Sequence, residues 1–146
     1  MATKEFQAKV NPVYTTGKGT TAMLAASGNR EAGMIVSKMD LSELARGSSD
    51  AVPPEIKKCY IVSLEARYEI SNEMIRRANK PNVIDLPSGY TPRSFLEAEE
   101  GRHYYGLDLP VVADDIGVIV DGFLPENLKD KVEYHGVDAT NFESLQ

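Results

Sequence analysis

Tyr60-Ile61-Val62-Ser63-Leu64-Glu65-Ala66-Arg67-Tyr68-Glu69-Ile70 is the stretch whose reading sets the fold. Taken with a period of two, Tyr60, Val62, Leu64, Ala66, Tyr68 and Ile70 share one side, and Ile61, Ser63, Glu65, Arg67 and Glu69 share the other. Successive side chains leave a strand on opposite faces, so alternation of this length predicts a long β-strand lying on a core. The competing pattern is helical, because Ile61, Leu64 and Tyr68 are spaced by three and four and Leu, Glu, Ala and Arg are good helix formers. As a strand the stretch needs neighbours on both edges and a layer over its apolar face. A slip of one residue would carry Glu65, Arg67 and Glu69 into that core, which fixes the register.

A second strand is expected over residues 116–123, where Ile116 to Val120 is apolar at nearly every position, as in a central strand buried on both faces. Val111-Val112 precedes it, and the two runs are read as a hairpin with Ala113-Asp114-Asp115 at the corner. Val83 to Leu86 and Val132 to Val137 read as shorter strands. Thr91-Pro92 opens a helix that carries Phe95 and Leu96 and stops at Gly101. Asp40-Leu41-Ser42-Glu43 has the spacing of a capping box. The fold class that follows is α+β, with an antiparallel or mixed sheet centred on strands 60–70 and 116–123 and three or four short helices.

Residues 1–146 are read as a single domain. Its N-terminal part begins with a short strand through Phe6, Ala8 and Val10. From Tyr14 to Glu31 only Tyr14, Met23 and Leu24 are large and apolar, so residues 1–31 are expected to form an extended arm that orders against another surface. Residues 46–55, RGSSDAVPPE, have the Gly, Ser and Pro-Pro content of an exposed loop. The apolar run Met34-Ile35-Val36 reads as a buried strand. Gly17-Lys18-Gly19-Thr20 does not match a phosphate-binding loop, because Pro12 stands where its first glycine belongs and Gly19 where the hydroxyl residue after the lysine belongs.

The net charge of −6 is unevenly distributed. Residues 1–81 hold twelve basic against nine acidic residues, and residues 82–146 hold four against thirteen. An acidic C-terminal half disfavours nucleic acid, whose affinity comes largely from neutralised phosphates. The single cysteine, Cys59, forms no internal disulfide and reads as a small packed hydrophobe. Residues 1–6 have no signal-peptide core and no long apolar span follows, so the expected location is the cytoplasm or a particle, such as a virion, assembled there.

Chemistry-bearing residues are sparse. Glu100-Gly101-Arg102-His103 has the Glu-x-x-His spacing of carboxylate metal sites, but Gly101 ends the helix that such a site needs. His135 has no second ligand near it in sequence. Asp108, Asp114, Asp115 and Asp121 are the acidic candidates, and Asp114 and Asp115 can share a hard cation only within a turn. No catalytic, cofactor-binding or metal-binding residue is assigned.

The function expected on these grounds is non-enzymatic: a structural protein, such as a capsid decoration protein of a virus or phage, acting by self-association into a homo-oligomer or by binding a larger lattice. One alternative is a small metal-dependent enzyme using Asp114, Asp115 and Asp121, with His103 beside them. Another is an acidic adaptor or inhibitor that binds one cellular protein. Neither nucleic acid nor membrane is an expected partner.

Overall fold

A computed structural model describes residues 4–42, 53–139 and 141, with side chains in the first helix from Thr15 onward. The chain divides into two compact units, Met1–Ala66 and Arg67–Gln146.

In the first unit, α1 (Lys4–Ala26) and α2 (Arg30–Val36) pack on each other. Of the stretch 1–31, expected to begin as a strand and continue as an arm, Lys4–Ala26 is thus helical, and α2 begins at Arg30. Among the described side chains of α1, the buried ones, Lys18, Thr21 and Leu24, recur every three residues, a helical spacing that the scarcity of large apolar residues hides in the sequence. Lys18 Nζ donates to the carbonyl of Asp40 at 3.2 Å. Gly28 at φ +102° reverses the chain, and Asn29 Oδ1 caps α2 by accepting from the Ala32 N–H at 2.8 Å. Met34-Ile35-Val36 therefore closes a helix and is not a strand. The Asp40 carboxylate accepts from the Ser42 N–H at 2.9 Å, as a cap does. The rest of that expected helix, and residues 46–52 of the expected loop, lie outside the described residues.

Residues 60–70 lie inside α3 (Pro54–Ala78), a helix of 25 residues. Positions of reduced exposure include Ile61, Leu64, Tyr68, Asn72 and Ile75, spaced by three and four, with Ser71 and Glu73 flanking Asn72. Tyr60, Val62 and Ile70, assigned to a core face by alternation, are 60%, 64% and 61% exposed. Helical spacing and helix-forming side chains prevail here over a coincidental period of two.

The second unit contains the sheet, β1 (Asn82–Asp85), β2 (His103–Asp108) and β3 (Val132–Gly136), in the order β1-β2-β3. Both pairings are parallel, with Val83 opposite Tyr104 and Gly106 opposite Tyr134. The mixture of helix and sheet agrees with an α+β class, but the sheet among the described residues is all parallel and not antiparallel or mixed. Parallel neighbours require crossovers, which α4 (Arg93–Glu99) and α5 (Pro110–Asp121) supply. The expected strand 116–123 lies in α5 up to Asp121 and in the turn after it, and the expected hairpin belongs to α5. Pro110 opens that helix, and Val112, Ala113, Ile116, Ile119 and Val120 are buried along one side. A 3₁₀ segment, Glu126–Lys131, leads into β3.

Ser94 of α4 and Gly117 of α5 both approach the Tyr134 side chain, so the two helices cover one face of the sheet. That face carries Val83, Asp85, Tyr104, Gly106, Asp108 and Tyr134. On the opposite face Ile84 is 69% exposed.

Candidate functional site

The carboxyl ends of β1 and β2 meet at a tight turn. After Asp85 the chain runs Leu86-Pro87-Ser88-Gly89-Tyr90-Thr91-Pro92 into α4. The Leu86–Pro87 peptide is cis, and Gly89 stands at φ +55°, a left-handed conformation that glycine adopts at little cost. Backbone bonds fasten this turn to the end of β2. The Ser88 N–H donates to the Leu107 carbonyl at 3.0 Å, and the Gly89 N–H donates to Asp108 Oδ2 at 2.7 Å.

Asp108 ties together all three strand ends. Its Oδ1 accepts from the Leu109 N–H at 2.7 Å, and its carbonyl accepts from the Val137 N–H just beyond β3, also at 2.7 Å. The residue is 6% exposed. A carboxylate offers about four lone-pair sites, so two backbone donors leave acceptor capacity for a ligand. The crevice outside the carboxyl ends of parallel strands is where open α/β sheets bind ligands.

A polar network braces the turn from the helix-covered face. Arg93, on the first turn of α4, joins Asp85 to Asn72 of α3, with Nη1 2.6 Å from Asp85 Oδ2 and Nε 3.1 Å from Asn72 Oδ1. The Tyr104 hydroxyl donates to the same Asp85 oxygen at 3.0 Å, and the Tyr68 ring lies 5.7 Å from the Arg93 guanidinium carbon. Tyr134 donates to Ser94 Oγ at 3.0 Å and meets Tyr104 edge to face at 5.8 Å. Burial is the main force raising the hydroxyl pKa of both tyrosines. The charges of Tyr134 and Asp85 add to it at Tyr104, and Asp85 adds to it at Tyr134.

The acidic candidates separate. Asp108 belongs to this edge, whereas Asp114, Asp115 and Asp121 lie on α5. Asp115 accepts from the Tyr90 hydroxyl at 2.8 Å, and Asp121 pairs with Lys129 at 3.3 Å. Asp114 and Asp121 border a cavity of about 290 Å³ floored by Gly117, Val120, Leu124 and Tyr134. Among the described residues no three His, Cys, Asp or Glu side chains group as metal ligands. His103 opens β2 at the end remote from Asp108, His135 pairs with Glu133 at 3.1 Å, and Cys59 is exposed on α3. The sequence reading did not single out Ser88, Gly89, Asp85 or Arg93. Their signal is a strand, a glycine turn, a helix and a second strand ending in an acid, with 19 residues from Gly89 to Asp108.

No family model, curated protein or solved structure matches the chain. No helix among the described residues is long and apolar enough to cross a membrane.

Proposed function

We propose that the carboxyl edge of the sheet binds the nucleoside part of a cofactor that has no pyrophosphate, with S-adenosylmethionine as the case to test. The observation that carries this is Asp108, a buried carboxylate at the end of β2 bonded to the first strand-to-helix turn. In nucleotide-binding βαβ units an acid about 20 residues beyond the first turn hydrogen-bonds the ribose hydroxyls. The spacing of 19 from Gly89 agrees. The turn has one glycine, between Pro87 and Pro92, where a pyrophosphate needs several to reach the backbone. A ribose reader without a phosphate cradle suits a nucleoside whose 5′ substituent is not a phosphate chain.

Titration calorimetry of the intact chain with S-adenosylmethionine, S-adenosylhomocysteine, NAD and ATP tests this assignment. Binding of the first two in preference to the others, lost in Asp108→Ala, is expected. Equal affinity for all four, or no binding, excludes it.

Exposed apolar side chains support a second role in self-association. Ile84 and Leu86, on and just after β1 at the sheet edge, are 69% and 46% exposed, and Val118 on α5 is 76% exposed. An edge strand with open apolar side chains is a pairing surface. Light scattering tests it: a defined oligomer supports assembly, and a strict 16.0 kDa monomer at every concentration counts against it.

A further inference from the structure

Ser88 has a hydroxyl that the fold does not use. The residue is 1% exposed, and its Oγ has no hydrogen-bond partner among the described residues. Its backbone is fully committed, the N–H to Leu107 and the carbonyl to the Thr91 N–H at 3.4 Å and the Thr91 hydroxyl at 3.1 Å. Leaving a buried hydroxyl unpaired costs stability. Alanine would fill nearly the same space without that cost, and the position adjoins Gly89, the residue bonded to the ribose-reading carboxylate. An unpaired buried polar group in the turn at the carboxyl end of the sheet is a candidate for a ligand contact.

We propose that the Ser88 hydroxyl is a specificity-determining contact of this site, forming a hydrogen bond to a polar atom of the bound nucleoside. The inference rests on the nucleoside assignment made above. The Gly89 and Leu109 N–H groups leave acceptor capacity on the Asp108 carboxylate for a ribose hydroxyl, and Ser88 is the residue next to Gly89 in the turn bonded to that carboxylate. The chemical class addressed is a ribonucleoside with both ring hydroxyls, and the group tested is the serine hydroxyl alone.

The experiment compares wild type and Ser88→Ala, each intact, by thermal melting without ligand and by calorimetry with S-adenosylhomocysteine. The expected result is a split: S88A melts at or above the wild-type temperature, yet binds 5- to 30-fold more weakly. Unchanged affinity in S88A, with wild type binding well, overturns the role of Ser88 and leaves the nucleoside site standing. A lower melting temperature with unchanged affinity also overturns it, by giving the hydroxyl a structural duty. Wild type that binds neither S-adenosylhomocysteine nor S-adenosylmethionine overturns the site and the serine contact together. Adding Ser88→Cys separates size from chemistry, since a weaker hydrogen-bonding group of similar shape should fall between the two. Affinity in S88C equal to wild type counts against a hydrogen bond.

Discussion

Arg93 Nη1 sits 2.6 Å from Asp85 Oδ2, and the two side chains are only 12% and 15% exposed, so β1 and α4 are joined by an ion pair largely removed from water. Breaking a buried pair from one side strands the other charge and costs about 3–5 kcal/mol. Arg93→Ala is therefore expected to destabilise the second unit by that order in urea unfolding. Because Asp85 would no longer be stranded, the double variant R93A/D85A should lose less than the two single losses combined. Arg93→Lys should recover only part, since a point charge does not serve Asp85 and Asn72 together. Strict additivity would show that the pair is not coupled.

Two strand glycines are set by close approach. A Cβ on Gly136 would lie 2.7 Å from Pro110 Cα, and a Cβ on Gly106 would lie 2.5 Å from Tyr134 Cε1 and 3.1 Å from Tyr104 Cε1. Overpacking typically costs about 1–3 kcal/mol. Gly136→Ala should lie at the upper end, because the obstacle is backbone at the start of α5. Urea midpoints for G106A and G136A check this, and wild-type values for either would contradict the packing.

Alkaline pH should unfold the protein through Tyr104 and Tyr134. Both have folded-state pKa values raised above the ordinary tyrosine value near 10, mainly by burial. The folded state then holds protons that the unfolded state releases, so this contribution is intact below about pH 10 and declines as pH rises beyond it. Melting temperatures from pH 8 to 11 should fall most steeply above 10, and Tyr134→Phe should flatten that fall while losing the bond to Ser94. An identical profile in Y134F would assign the transition to other groups.

Val118 and Ile84 discriminate between stability and association. Exposed substitutions usually change stability within about 0.5 kcal/mol. Val118→Lys and Ile84→Lys should thus melt close to wild type. If either apolar patch joins copies of the chain, its lysine variant should lower the mass found by light scattering without lowering the melting temperature.

The sequence is most legible where a local signal has one reading. Val83 in β1, the helix opened by Pro92 and closed by Gly101, and Val132 in β3 are recognised from turn residues and short apolar runs. Residues 60–70 mislead because their apolar positions satisfy a period of two and a period of 3.6 together, and only the partial burial of Ile61, Leu64 and Tyr68, in line with buried Asn72, separates the two. Val111-Val112 and Ile116 to Val120 mislead because short apolar runs carry no clear period, so Asp114 and Asp115 between them pass for a corner although Pro110 has already begun a helix. Asp108 stands among the acidic candidates. Its importance comes from Gly89, brought beside it by parallel pairing across a helix, and contacts at that separation leave no periodic trace.

Besides its neighbour Leu109, Asp108 accepts backbone donors from Gly89 and Val137, which make that residue a clasp for chain segments that are far apart in sequence. None of the three amides can lose protection through local fraying alone without disturbing the same anchor. Their hydrogen exchange should rise and fall as one cooperative opening, and a ligand seated at the clasp should slow it as far away as β3.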